Sequence, residues 1–447
     1  MKKRRIRCAS VYGSVTVPAS KSITHRALII GACAADASGE STVVMNPLRS
    51  DDTVLTLQAL QAMGYPARVD EHNGDIHKVE WLGKRNVPEG PVHIDIHHSG
   101  TSARLLTAVA AVQPIANGGY IQIDGSARMR QRPMHELITA LTTLGAVIEH
   151  HEGFLPLRVV KPVAELPLET TVAIDASKSS QFLSALLLIA PLLPGGINIR
   201  LVSNITSQSY SDMTIAQMAQ AQVHVEEHVE HGRVVGYSID GGQRYCMREY
   251  NIEGDYSSAS YWLAAATITG GKIHIPNLTP HSLQGDQAIV PILESFGARA
   301  AWKNDGLHVQ GTAKLQGVEW NMNTCPDIVP TVSVVALFAE GRSVFRNIEH
   351  LRYKESDRIQ AVCENIERLG GTAYLEGSDL IIQPTTGLHG ASLPTFDDHR
   401  IAMSFALAGL RISGVEIEQP ECVAKSYPNF WHDFEQLCVC SKFPQTL

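Results

Sequence analysis

One pattern recurs six times along this chain and limits the fold more than its size does. An apolar, small-residue segment of helical length runs into a glycine, and a short β-like stretch follows. The copies are RALIIGACAADASGESTVV, RLLTAVAAVQPIANGGYIQI, LSALLLIAPLLPGGINIRLV, YWLAAATITGGKIHI, VSVVALFAEGRSVFRNI and SFALAGLRISGVEIEQ. Their turn glycines are read as Gly39, Gly119, Gly196, Gly271, Gly341 and Gly414, spaced 80, 77, 75, 70 and 73 residues apart. A second, amphipathic helix follows in each copy, often stopped by a glycine such as Gly64, Gly145, Gly297 or Gly370, which accepts positive φ without a Cβ clash. This period exceeds that of the common solenoid families, so the repetition is expected inside globular domains. A chain of 447 residues is too long for one core, and two domains of three copies each is the economical grouping. The first helix of each copy is apolar all round and should be buried, while the second packs on a sheet with one wet face. The fold class is α/β; periodicity leaves the strand order open. The stretch from Cys246 to Glu253 is the expected crossing point between domains.

The entrances to the six buried helices share a chemistry. They are Ser20-Lys21-Ser22, Ser99-Gly100-Thr101-Ser102, Ser177-Lys178-Ser179-Ser180-Gln181, Asp255-Tyr256-Ser257-Ser258, Cys325-Pro326-Asp327 and Asp397-Asp398-His399-Arg400. Hydroxyls, glycine or acids open each one, as caps should, with Ser20 and Ser22 expected to supply capping oxygens for the first. If equivalent copies pack in parallel, three N-termini point the same way in each domain and their free N–H groups attract anions. Lys21, Arg26 and Arg400 then oppose the helix dipole unless an anion sits among them. That repetition points to bound anions.

Composition removes several function classes. The net charge of -8 argues against a general nucleic-acid binder, and no run of about 18 uncharged apolar residues spans a membrane. The basic start, Met1 to Arg7, is not followed by an apolar signal core, so a cytoplasmic protein is expected. The eight cysteines, from Cys8 to Cys438 and Cys440, are scattered and read as reduced thiols. There is no GxxxxGK[ST] loop, no GxGxxG after a strand and no HExxH. The pairs His97-His98 and His150-His151 lack partners at metal-ligand spacing, so no metal is expected.

Other stretches carry reactive residues. Leu351-Arg-Tyr-Lys-Glu-Ser-Asp-Arg358 sets Lys354 beside Glu355 just before an amphipathic helix, a plausible acid–base pair; Ser356 is the expected cap. The comparable Arg49-Ser-Asp-Asp-Thr53 reads as a solvated helix start. Gly125-Ser-Ala-Arg-Met-Arg-Gln-Arg-Pro133 is a loop whose three arginines suit carboxylates or phosphates.

Taken together, ASKSITHRAL, SGTSARLL, ARMRQRPM, SSQFLSALL, IEGDYSSASYWLAAA, LQGD, RYKESDRI, DDHRIAM and AKSYP resemble the 5-enolpyruvylshikimate-3-phosphate (EPSP) synthase family, in the family's order from residue 19 to 428. The resemblance implies a two-domain inside-out barrel, each domain built of three βαβαββ-type units around buried parallel helices. The expected boundaries are 1–18 plus 251–447 for the first domain and 19–250 for the second, with the active site in the cleft between them and closure on substrate. It implies transfer of the enolpyruvyl group of phosphoenolpyruvate to the 5-hydroxyl of shikimate 3-phosphate, releasing phosphate, with no metal or organic cofactor. A monomer acting on small molecules, without nucleic-acid or membrane partners, is expected.

Residue by residue, the resemblance places Lys21 on both substrates. Ser22, Arg26, Ser179, Ser180, Gln181, Ser207 and Tyr210 fall on shikimate 3-phosphate. Gly100, Thr101, Arg128, Arg358, Arg400 and Lys425 fall on phosphoenolpyruvate, with Gln181 bridging. Asp327 matches the base for the 5-hydroxyl, Lys354 stands close to it, and Glu355 matches the acid for C3. His98 and His350 stand where many or some members have asparagine, and Leu105 where many glyphosate-sensitive members have proline. Glyphosate, which occupies the phosphoenolpyruvate site in many members, is expected to compete, approaching the backbone N–H groups at Gly100 because no Cβ intervenes. Two other readings remain on the same scaffold: enolpyruvyl transfer to UDP-N-acetylglucosamine, whose enzymes typically open with Lys-Asn where this chain has Lys21-Ser22, and a non-catalytic anion-binding protein.

Overall fold

The computed structural model describes residues 2–72, 74–164 and 170–439; Cys440 of the expected thiols lies outside them. By its contacts the chain divides into two domains, Met1–Pro18 with Glu253–Leu447, and Ala19–Ile252. Each domain has its own apolar core.

The second domain contains α1 (Lys21–Ser38), α2 (Asp51–Ala62), α3 (Gly100–Val112), α4 (His135–Thr143), α5 (Ser180–Ile189) and α6 (Ser209–Gln220). Helices α1, α3 and α5 are the apolar helices of the first three copies, buried along most of their length. Each copy adds a four-stranded sheet. In the second copy, Val92–Asp95 runs parallel to Ile121–Asp124, which pairs antiparallel with Phe154–Lys161, itself antiparallel to Val147–His151. The third copy repeats this order. The first copy borrows its opening strand from Glu249–Asn251, parallel to Ser41–Met45.

The first domain mirrors this plan with α7 (Tyr256–Thr269), α8 (Ile289–Phe296), α9 (Val329–Ala336), α10 (Arg358–Arg368), α11 (His399–Ala408) and α12 (Phe430–Leu437). Its opening strand, Ser10–Ser14, comes from the start of the chain and lies parallel to Lys272–Ile275. Each domain is thus completed by a strand distant in sequence, which is why the first is discontinuous.

Side-chain ladders fix the buried helices side by side. Thr331, the third residue of α9, bonds Ser260, the fifth of α7, and Ser404, the sixth of α11, at 3.3 and 3.0 Å. In the second domain Gln181 Nε2 donates to Thr101 Oγ1 at 3.0 Å, second residue of α5 to second residue of α3. These contacts bring the N-terminal turns of the helices together at one end within each domain, where unpaired N–H groups concentrate positive potential.

Several local expectations are corrected. In copies two and four the glycine with positive φ is Gly118 and Gly270 (+77° and +67°), one residue before Gly119 and Gly271. Side-chain caps form as expected at α3, α5, α7 and α11 through Ser99, Ser179, Asp255 and Asp398. Ser20 stands at the N-cap of α1, but its hydroxyl caps nothing, and Ser22 lies inside the first turn, its carbonyl accepting from Arg26. Helix α9 follows a 3-10 turn, Pro326–Ile328, and Asp327 is engaged by cations instead of capping. Asp357, not Ser356, caps α10. In the third copy α6 ends at Ala221 without a glycine stop, and in the sixth a 3-10 turn, Pro420–Lys425, precedes α12. No disulfide joins the described cysteines. No helix among the described residues is long and apolar enough to cross a membrane.

Candidate active site

In the first domain, four cations and three carboxylates from separate segments converge. Arg358 opens α10 and is about 1% exposed. Its Nε donates to Asp398 Oδ2, Nη1 to Asp327 Oδ1 and Nη2 to Glu355 Oε2, each at 2.8 Å. Arg400 Nη2 donates to the other Asp327 oxygen at 2.7 Å, and Lys354 Nζ lies 3.9 Å from Asp327 Oδ1. Lys425 Nζ donates to Glu355 Oε1 at 3.3 Å. Asp398 both caps α11 and fixes Arg358, and it also accepts from Ser356 at 3.0 Å.

Burial opposes ionisation of Asp327, but Arg400, Lys354 and Arg358 outweigh it and hold the carboxyl well below the usual range. The guanidinium of Arg358 would lose charge through burial, yet Asp398, Glu355 and Asp327 push its pKa up. Asp286, from the LQGD stretch, behaves in the opposite way: burial, reinforced by Asp327, pushes it up to about 7. Ser257 donates to one Asp286 oxygen, while the other is buried without a partner. Burial, with Lys354 next, pushes His350 down to about 3, so it is neutral near pH 7.

In the second domain Arg26 rests on neutral oxygens. Arg26 is about 1% exposed and donates to Thr214 Oγ1 (2.7 Å), Ser22 O (2.8 Å), Ser184 Oγ (3.2 Å) and Tyr210 O (3.2 Å). Burial lowers its pKa to about 10, which still leaves it charged at neutral pH. Lys21 pairs with Asp52 at 3.2 Å. Asp52 is buried, so the Arg49–Thr53 stretch is not the solvated helix start its sequence suggested. Its helix carries Thr56, which bonds both His25 Nδ1 and Ser102 Oγ at 2.8 Å, joining α1 to α3.

Thr101 and Gln181 meet directly, and Ser179 caps the helix that Ser180 and Gln181 begin. Ser207 is buried in the left-handed region at φ +55°, in the connection before α6, and Tyr210 supplies its carbonyl to Arg26. Of the three loop arginines, Arg130 is an exposed bidentate partner of Asp124, Arg132 is buried and Arg128 half-buried. His98 Nδ1 bonds Ser126 on the same loop at 2.8 Å.

Gly100 has a packing role beside the expected one. A Cβ there would overlap the guanidinium groups of Arg132 and Arg104. The missing side chain makes room for two buried arginines. The site roles of Asp398, Asp286, Asp52 and Arg104 do not show plainly in the sequence. The sequence signal for the first two was present, an acid at a helix entrance and an acid in a family-like stretch, but an acid beside a helix start reads first as a cap.

The family model for EPSP synthase (3-phosphoshikimate 1-carboxyvinyltransferase) matches residues 7–434. The chain belongs to the EPSP synthase family. Among curated relatives, a 3-phosphoshikimate 1-carboxyvinyltransferase from Syntrophobacter fumaroxidans is 40% identical over 437 residues, covering 96% of this chain and 98% of the relative. One from Methanosarcina acetivorans is also 40% identical, covering 96% of each. The solved EPSP synthase from Acinetobacter baumannii superposes with a TM-score of 0.79 at 26% identity, over 98% of both chains. As a member of this family the chain is a transferase of the shikimate pathway, and its two-domain α/β fold is the family's.

Proposed function

We propose that this enzyme joins the enolpyruvyl group of phosphoenolpyruvate to the 5-hydroxyl of shikimate 3-phosphate by addition and elimination. The observation that carries the residue roles is the pair of carboxylates, Asp327 and Glu355, each held by cations that anionic substrates compete for. Phosphoenolpyruvate draws on Arg358, Arg400 and Lys425, with Lys21, Gly100, Thr101, Arg128 and Gln181 from the second domain. As it does so, Asp327 is relieved of the cations that suppress its basicity and accepts the proton of the 5-hydroxyl. The oxygen bonds to C2 while Glu355 delivers a proton to C3. The C2–O bond to phosphate then breaks, the leaving phosphate takes up the proton that Asp327 accepted, and a proton returns from the C3 methyl to Glu355. Lys354 stabilises the charge that moves through Asp327.

Shikimate 3-phosphate is read onto Lys21, Ser22, Arg26, Ser179, Ser180, Gln181, Ser207 and Tyr210, with Asp327 and Lys354 at its hydroxyls. The parallel helix N-termini and the guanidinium of Arg26, satisfied by neutral oxygens, support an anion there. The chemistry is proton transfer and charge stabilisation, so it calls for no metal or organic cofactor. The net charge of -8 favours small anions over nucleic acid. We read the enzyme as a cytoplasmic monomer without membrane partners.

Phosphate release tests the reading. It should require phosphoenolpyruvate and shikimate 3-phosphate together. Release with UDP-N-acetylglucosamine instead would move the chain to the sister activity, and binding without release would leave an anion-binding protein.

A further inference from the structure

The neighbouring strands Ser10–Ser14, Lys272–Ile275 and Gly306–Gln310 bring together a cluster that enolpyruvyl transfer does not use. His274 and His308 are cross-strand partners, and their rings stack with centroids 4.3 Å apart at 17°. Asp305 precedes the strand that carries His308. Gly306, at φ +126°, lets this turn pass against the carbonyl of Ile275, a position where a Cβ would overlap backbone. The Asp305 carboxylate lies beside the Nε2 atoms of both rings. Its Oδ1 is 2.9 Å from His308 Nε2, and its Oδ2 is 3.6 Å from His274 Nε2.

We propose that His274, Asp305 and His308 form a binding site for a divalent first-row cation of the zinc type. Their donor atoms all lie within 4.8 Å of one another. Zinc with bonds of about 2.0–2.2 Å in tetrahedral geometry holds its donors roughly 3.4 Å apart, and the carboxylate–imidazole separations of 2.9 and 3.6 Å bracket that spacing. Two imidazoles and one carboxylate are a borderline donor set that favours zinc, nickel or copper over magnesium or calcium. His274 also has outer support: Ser14 Oγ lies 3.0 Å from its Nδ1. His274 Nε2 also lies 2.8 Å from the carbonyl oxygen of Asp305, a contact that a bound ion would replace. A hydroxyl can accept as well as donate, so Ser14 can then hold the Nδ1–H tautomer in which Nε2 ligates. The rings are only 22% and 28% exposed, the carboxylate 60%, which leaves an entry from solvent and room for water as a fourth ligand. The sequence hid this site because 31 residues separate His274 from Asp305 and they meet only through the tertiary fold.

Zinc itself is the probe, titrated calorimetrically into the EDTA-stripped full chain at about pH 7.5, where imidazoles bind metal in the neutral form. One equivalent is expected to bind, and His308→Gln and Asp305→Asn should each weaken it at least about tenfold. His72→Gln, at the separate exposed pair His72–Asp70, should leave it unchanged. Thermal unfolding without zinc shows whether the variants fold. Independently of any variant, zinc X-ray absorption on the wild type should show two imidazole nitrogens. No binding, equal binding by all variants, or a shell without two imidazoles would each overturn the site.

Discussion

Arg26 and Arg358 are equally buried guanidinium groups in two domains built on one plan, yet their neighbours have opposite characters. Arg26 is held by two hydroxyls and two carbonyls, so its charge is solvated but not cancelled. Arg358 is held by three carboxylates, so its charge is spent on fixing and tuning them. Neutral dipoles stabilise a buried cation while leaving its field intact for a ligand; carboxylates stabilise it more strongly and take part of its field. The second domain is therefore suited to hold a phosphate, and the first to move protons. A shared fold has been given two electrostatic tasks by the choice of what surrounds its arginines.

The largest effect that could break this division is on turnover. Asp327→Asn and Glu355→Gln should each lower kcat by about 100- to 10,000-fold, because proton transfer is a transition-state task. The Kd for shikimate 3-phosphate should change far less in either variant. Steady-state kinetics beside calorimetric binding reads both quantities. Near-full turnover in either variant removes its assigned role, and an equal loss of binding would make the first domain a holding site like the second.

Next comes the guanidinium that sits on neutral oxygens. Arg26→Lys keeps the charge but cannot reach Thr214, Ser184 and the Tyr210 carbonyl together. About 3 kcal/mol of stability should be lost with these buried polar groups left short of partners. Denaturant unfolding measures it, and shikimate 3-phosphate should bind more weakly. A variant as stable as wild type would show that the four bonds contribute little.

The repeat was legible because it is written in composition: six apolar helices followed by glycine-bounded turns leave few alternatives to buried helices under sheets. The borrowed strands, Ser10–Ser14 and Glu249–Asn251, were not legible as such, since nothing in either stretch states which distant strand it pairs with. At the site, cations against the helix dipole gave Lys21, Arg26 and Arg400 away. Asp52 and Asp398 stayed hidden because capping and ion pairing use the same residue types at the same helix starts. Gly100 was legible as special, but its packing role was not, because the arginines that fill its space are four and thirty-two residues further along. Local chemistry is visible in a sequence; the partner that gives it meaning is set by tertiary packing.

A smaller effect should separate the domains by pH. Asp286 keeps its proton up to about pH 7 when folded, whereas an unfolded aspartate loses it near ~4. Relative to Asp286→Asn, the wild type should be most stable in acid. It should lose that advantage as pH rises from about 4 to about 7, at no more than about 1.4 kcal/mol per unit. In the second domain, burial pushes His25 down to about 3. Its contribution is full above the unfolded value of about 6.5 and is lost as pH falls from there towards 3. Relative to His25→Gln, the wild type should therefore weaken in acid. Chemical denaturation across this range gives two curves of opposite slope, totalling on the order of 2 kcal/mol each once residual structure in the unfolded chain is allowed for. Parallel curves would mean that the two groups do not differ in this way.

The smallest effect concerns Gly100, where the anion-holding role of the second domain meets its packing. An added methyl would push aside the guanidinium ends of Arg132 and Arg104, which are 6% and 1% exposed. Gly100→Ala should raise the KM for phosphoenolpyruvate by about tenfold through misplacement of the cations beside α3. The Ki for glyphosate should rise by a similar factor, since both anions are read onto the same site. If direct approach to the backbone N–H groups were what Gly100 permits, the inhibitor, slightly longer than phosphoenolpyruvate, would lose much more than the substrate. Inhibition curves at several phosphoenolpyruvate concentrations, on wild type and variant, read the two factors separately. Equal losses support the displaced arginines; selective loss of the inhibitor returns Gly100 to an anion-approach role and narrows the contrast between the domains to Arg26 and Arg358 alone.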